Sequence, residues 1–407
     1  MNAGSGGPLA PYRVLDMTPD LGWLLGRILA DLGADVVKVE PPDGDPGRQR
    51  PPLIEGPTGA TAGSAWLAYN AGKRGITLDL ESETGRSQFR RLVAESDFLL
   101  EGFQPGMLAS LGLGWEDLRA LNPRLVMVSV TPYGQTGPLA MTVASDLEIL
   151  AAGGAIWLAG DEDRPPVRIG HPQAGCWTSA HAVMGALIAH HHRQLTGLGQ
   201  HVDVSAQAAI LPMLVQAPSF WEMLSVNPTR HGAFLTGRNN HGAALRNIWP
   251  CRDGYLTFAI YGGPAGRHSN RQLVAWMEER GMAPSEVSAI DWDAFDVTTA
   301  SAQQLKMIES AMGPFFLSLS KREFLDGAVT RRLLGQLVAT VEDIADDPQL
   351  SARGVWQEVE DPGLGLTLRY PTGVFRFDGV PDRLRRPAPL LGQDNADLLD
   401  PRLEAAL

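Results

Sequence analysis

Cysteine is scarce in this chain: Cys176 and Cys251 are the only two in 407 residues. They cannot build a disulfide framework, and a chain of this length buries enough surface to need none. Cations are in deficit as well, with 34 Lys and Arg against 46 Asp and Glu and a formal charge of -12. The resulting field repels nucleic acid, and any phosphorylated ligand needs local cations or helix N-termini to offset it. No apolar run is long enough to span a membrane without Gly, His, Gln or charge interrupting it. The opening stretch, MNAGSGGPLAPYR, reads as a flexible leader and lacks the cationic-then-apolar order of a secretory signal. Metal-ligand spacing is missing too. The imidazoles of HHHR at 190–193 point roughly 100° apart on a helix and do not converge on one ion. These absences predict a cytoplasmic protein with no metal, no nucleic-acid partner and no membrane partner.

What is present is a βα rhythm. YRVLDM, DVVKVE, DFLLEGF and RLVMVSVTPYG are short apolar strands, and ITLDL is a strand or extended segment. Between them LGWLLGRILADLGA, SQFRRLVAES and GWEDLRALN carry helical periodicity. Such alternation predicts an α/β fold with an open, mostly parallel sheet, whose ligands lie beyond the carboxyl ends of the strands. CWTSAHAVMGALIAHHHRQLTG is a long helix with small residues for close packing, followed by the strand HVDVS. A loop rich in Asn, Arg, His and Gly then leads into a smaller α+β unit over 225–330. The tail holds strand-like pieces, GVWQEVED, LTLRY and GVFRF, and leaves open whether it returns to the first domain.

Several residues invite a chemical reading. His171 lies in the loop RIGHPQAG and suits proton transfer or a substrate contact, with a surface role as the alternative. Cys176 offers a thiolate if His171 or His181 activates it, and small-residue packing otherwise. Asp146, after Ser145, reads as a helix cap or a direct ligand. Lys73 and Arg74 suit a phosphate, a solvated turn or an ion pair. Tyr69 and Phe103 would cover an adenine or an acyl group, or fill the core. The glycine runs at 152–156 and 262–266 match neither phosphate-loop pattern and read as turns.

Taken together, RVLDM, ILADLGADVVKVEPP, NAGKRGITLDL, EGFQPGMLASLGLGWEDLRALNPRLVMVSVTPYGQTGP, PPVRIGHP, TGLGQHVDVS, CRDGYL and RRPAPLLGQDNADLL resemble the class III CoA-transferase (CaiB/BaiF) family along almost the whole chain. The resemblance implies a Rossmann-like large domain, here 1–224 with 331–407, a small domain over 225–330, and an interlocked dimer. It implies no covalently bound cofactor, with coenzyme A or an acyl-CoA as substrate ligand and a carboxylic acid as the second substrate. The CoA wall would include Asp20, Leu21, Gly22, Tyr69, Lys73, Gly102 and Phe103.

One departure governs the function. Family transferases read approximately GxPxGD after PVR, and that Asp attacks the thioester. Here Gly175 stands at its position, and a glycine has no side chain to carry an acyl group. The His that family racemases place before the residue matching Asp146 is Ser145 here. The resemblance thus implies an Asp-lacking subunit of a heteromeric CoA-transferase, whose homologous partner bears the Asp. The alternatives are a homodimeric thioester enzyme using His171, Ser145, Asp146 or Cys176, and a nonenzymatic CoA-binding or regulatory protein.

Overall fold

The computed structural model describes residues 7–214, 216–372, 375–378, 384 and 386–399. Residues 1–6 of the expected leader, and Gly373 and Val374 of GVFRF, lie outside these. The chain divides into two compact units: 1–156 with 168–226 and 348–407, and 157–167 with 227–347.

The first unit runs β1 (Arg13–Met17), α1 (Trp23–Asp31), β2 (Asp35–Glu40), β3 (Leu53–Glu55), β4 (Thr61–Gly63), α2 (Ser64–Asn70), β5 (Arg74–Thr77), α3 (Glu83–Ala94), β6 (Phe98–Glu101), α4 (Met107–Ser110), α5 (Trp115–Leu121), β7 (Val126–Thr131), α6 (Asp146–Ala152), α7 (Ala174–Thr196), β8 (His201–Ser205), α8 (Ala206–Ile210) and α9 (Gln216–Leu224). Six of the strands form one sheet in the order β5-β2-β1-β6-β7-β8, and every pair is parallel. Alternating side chains supply two cores, because successive residues of a strand face opposite sides. Val14, Phe98, Leu100, Val126 and Val128 pack with α1 and α7. Leu15, Leu99 and Met127 pack with α3 and α5 on the other face. From β1 the chain winds outward to β2 and β5, then returns to β6 on the opposite side of β1. The carboxyl ends of β1 and β6 therefore frame the switch point where such sheets hold ligands.

The second unit holds β9 (Phe234–Leu235), β10 (Leu245–Arg246), β11 (Ile248–Cys251), β12 (Gly254–Phe258), α10 (Gly263–Glu279), α11 (Ser285–Ser288), α12 (Ala302–Ser318), α13 (Lys321–Arg331), β13 (Gly335–Leu337) and α14 (Val341–Ala345). Its antiparallel sheet β11-β12-β13 backs an aromatic core of Trp249, Phe258, Trp276, Phe315, Phe316 and Phe324. The expected boundary at 330 falls short, because β13 pairs with β12 and extends this unit to residue 347. Residues 157–167 also join it: Arg230 donates to the carbonyls of Asp161 and Arg164 and lies over the Trp157 ring.

The tail returns to the first unit through α15 (Pro348–Ala352), the hairpin β14 (Trp356–Asp361) and β15 (Leu366–Pro371), and α16 (Asn395–Leu399). The Asp394 carboxylate accepts from Gly75 N at 2.8 Å, and Asn395 Oδ1 accepts from Thr77 N at 2.9 Å. Both bonds fasten the tail beside β5. The described residues of GVFRF, 375–377, form no strand. Among the described residues no helix is long and apolar enough to cross a membrane.

Candidate functional site

The switch point is built on a buried charge cluster. Asp16 lies near the end of β1, fully buried, and accepts from Thr18 N and Oγ1 at 2.9 and 2.7 Å. Lys73 follows α2, and its ammonium donates to Asp16 Oδ2 at 2.7 Å, Trp23 O at 2.9 Å and Asn70 Oδ1 at 2.9 Å. Lys38 of β2 adds a second buried cation, 3.8 Å from Asp16 Oδ1 and bonded to Thr18 O. Burial opposes the Asp16 charge, but Lys73 and Lys38 outweigh it and hold the carboxyl below its ordinary range. Burial also pulls the Lys73 ammonium down to about 8, with Asp16 resisting. Lys73 therefore follows the ion-pair alternative, with Asp16 as its partner. An ammonium has three donors, and all three are spent inside the protein. The cluster's role is to fix the 18–22 loop that leaves β1.

That loop carries Asp20, Leu21 and Gly22, and they do lie at the switch point. Asp20 is exposed, accepts from Leu21 N at 3.1 Å and pairs with Arg50, an exposed cation at this rim. Gly22 caps α1. Gly102, just past β6, lies so close to Pro19 that a Cβ there would sit 2.3 Å from Pro19 Cδ. Glu101, at the end of β6, is buried and accepts from Phe103 N at 2.8 Å, which holds this turn. Burial pushes its carboxyl up, while bonds from Ser129 and Phe103 resist. The Phe103 ring packs against the Leu15–Leu99–Met127 core, so it follows the packing alternative.

The N-terminus of α7 meets the same loop. A Cβ on Gly175 would stand 3.3 Å from both Asp20 O and Leu21 O. Ser179, one turn on, donates to Leu21 O at 3.5 Å. Cys176 Sγ lies 3.9 Å from the Tyr69 hydroxyl, and among the described residues no imidazole bonds to it. Burial pushes the Tyr69 hydroxyl up to about 12, with Cys176 adding to the shift. His171 is exposed, and its carbonyl accepts from Gln173 Nε2 at 3.4 Å. The Cys–His pair is not assembled.

Asp146 is a cap, though of a distant helix. It opens α6, yet its Oδ1 accepts from Gln173 N and Ala174 N, both at 2.7 Å, at the start of α7. Its buried Oδ2 has no hydrogen-bond partner among the described residues. Ser145 closes a capping box with Glu148 and remains exposed, which accounts for it structurally. The structure thus gathers Asp20, Leu21, Gly22, Gly102, Tyr69, Gly175, Cys176 and Asp146 around one loop, and leaves His171 and Ser145 outside. Asp16 and Glu101 escaped the sequence reading. The signal was a lone carboxylate near the end of an apolar strand, in RVLDM and in FLLE. HHHR is structural: the Arg193 guanidinium, bonded to His190, donates to Asp97 O and Arg124 O, and no described group of His, Cys, Asp or Glu is fit to hold a metal.

The profile of CoA-transferase family III matches residues 9–395. Subunit BbsE of succinyl-CoA:(R)-benzylsuccinate CoA-transferase from Thauera aromatica is 36% identical over 397 residues, covering 95% of this chain and 92% of that protein. Succinyl-CoA–D-citramalate CoA-transferase from Chloroflexus aurantiacus is 31% identical, covering 96% of this chain and 93% of that protein. The crystal structure of a CaiB/BaiF family protein from Brucella suis superposes with a TM-score of 0.82 at 29% identity, covering 98% of this chain and 99% of that one. This chain belongs to CoA-transferase family III.

Proposed function

We propose that this chain is the Asp-lacking subunit of a heteromeric cytoplasmic CoA-transferase, which moves CoA from succinyl-CoA to an aryl-substituted succinate. The observation that carries the proposal is Gly175: the position matched to the family nucleophile has no side chain, and two backbone carbonyls stand 3.3 Å from where its Cβ would be. A relative 36% identical to it is a named subunit of a succinyl-CoA:(R)-benzylsuccinate CoA-transferase. An alpha and a beta subunit of a succinyl-CoA–L-malate CoA-transferase are also relatives, each 28–29% identical.

In this reading the homologous subunit supplies the aspartate. Its carboxylate attacks the succinyl thioester carbonyl and expels CoA thiolate, leaving a mixed anhydride. The thiolate attacks the aspartyl carbonyl, releasing succinate and forming an aspartyl-CoA thioester. The acceptor carboxylate then displaces the thiolate, and the thiolate finally takes the acceptor's acyl group and frees the aspartate. This chain supplies its switch-point loop and completes the fold of the pair.

Its surface supports such a partner. Met184, Ile188, Leu195 and Leu198, on or just past α7, are exposed, as are Phe220, Trp221, Met223 and Leu224 of α9. Large exposed apolar patches mark interaction sites. An interlocked arrangement with a homologous chain buries both.

The test is to purify the chain alone and together with a homologous chain bearing GD at the matching site. We expect no acyl-CoA:carboxylate transfer by the chain alone, a hetero-oligomer in native mass spectrometry, and activity only in the pair. Rapid transfer by the chain alone sinks the reading, as does a co-expressed pair that neither associates nor gains activity.

A further inference from the structure

The second unit contains a cavity of roughly 540 Å3 that the CoA chemistry does not use. Phe234, Arg246, Trp249, Leu305, Lys306 and Glu309 line it. Its volume lies in the range of small-molecule sites.

The walls are set in place by bonds that leave charge unspent. Trp249 is buried in the floor, and its Nε1 donates to Phe258 O at 2.7 Å. The Arg246 guanidinium lies 5.0 Å over the Trp249 ring and 6.0 Å from the Phe234 ring. Its Nε donates to Ile248 O at 3.0 Å, and its backbone N donates to Glu309 Oε1 at 2.7 Å. The root of the side chain is thus held, while its two terminal nitrogens have no hydrogen-bond partner among the described residues. Nor does the Lys306 ammonium. The rim is held as well: Asn239 donates to Val297 O and Ala300 O, and its Oδ1 accepts from His241 N and Ala243 N. Two cations against one carboxylate leave the cavity one positive charge in excess. Burial also pushes the Glu309 carboxyl up, against the Arg246 bond.

We propose that this cavity binds a small monocarboxylate with a flat apolar body, the carboxylate on the terminal nitrogens of Arg246 with Lys306 beside it, and the body against Phe234 and Leu305. A guanidinium fork matches a carboxylate in two parallel bonds. The site is independent of the CoA-transferase reading, because every residue in it belongs to the second unit.

Calorimetric titration of the full chain with benzoate tests this, with benzamide and inorganic phosphate as comparisons. Benzoate should bind saturably, and benzamide and phosphate at least ~10-fold more weakly, each lacking one half of the recognition. Arg246→Gln should weaken benzoate by a similar factor. Ser310→Leu, on the solvent side of α12 and lining the cavity, should block binding without lowering the melting temperature, since Leu is a better helix former than Ser. The proposal is overturned by the absence of saturable benzoate binding, by equal binding of benzamide or phosphate, or by unchanged affinity in a folded Arg246→Gln or Ser310→Leu variant.

Discussion

Replacing Lys73 by Met separates a structural lysine from a ligand-binding one. The side chain is fully buried, and its ammonium bonds Asp16, Trp23 O and Asn70. Met keeps most of the volume and removes the charge. Asp16 is then left with Thr18 and with Lys38 at 3.8 Å. Removing one partner of a buried ion pair typically costs about 3–5 kcal/mol. The second cation places this case at the lower end, about 3 kcal/mol. At about 2.1 cal/mol/K of unfolding entropy per residue, a unit of this size shifts its melting temperature by about 2 °C per kcal/mol, so the drop should be about 5 °C. Thermal melts followed by circular dichroism measure it. The double variant Asp16→Leu with Lys73→Met should recover part of the loss, because the uncompensated carboxylate is gone while Lys38 keeps Asp45 at 3.8 Å and Thr18 O. If Lys73→Met melts like the parent while CoA affinity falls, the ammonium reaches outward and the buried-cluster account is wrong.

Three further outcomes follow from the same geometry. Asp146→Ala strips two backbone N–H groups at the start of α7 of their acceptor and should lower stability by about 1–3 kcal/mol in urea melts; Asp146→Asn, which keeps an acceptor, should lose less, and equal losses would remove the capping role. Ile188→Glu puts charge on the exposed stripe of α7 and should leave the chain monomeric in analytical ultracentrifugation; an unaltered oligomer would clear that stripe of any interface. The Asp16 carboxyl is held below its ordinary value of 3.8, so its contribution is present above that pH and is lost as pH falls through the lower folded value. Acid unfolding should therefore steepen below about pH 4, and Asp16→Asn should flatten that limb; a parallel limb in the variant would contradict the linkage.

The βα order was legible because each strand of the parallel sheet is a short apolar run bounded by turn residues, and that pattern is local. Asp146 was legible in kind, since a carboxylate beside a helix start caps backbone donors. Which helix it caps was not, because the N–H groups it accepts from belong to Gln173 and Ala174, far along the chain. Lys73 was legible in kind in the same way: an ion pair was one of the readings of NAGKRG, and only the packed fold turns the ammonium inward and names Asp16 as its partner. The far edge of the second unit was missed because β13 is three residues, GQL, too short to carry a period.

The sequence by itself determined the composition of the switch-point loop, the identity of residue 175 and the resemblance of nearly the whole chain to one family. Those are facts of residue type and order, and they need no coordinates. Only the tertiary structure decided that Gly175 lies against the carbonyls of Asp20 and Leu21, that Tyr69 rather than a histidine neighbours Cys176, and that Arg246 and Lys306 share a cavity. Burial and hydrogen-bond pairing are set by which distant segments the fold brings together, and no local pattern encodes that distance.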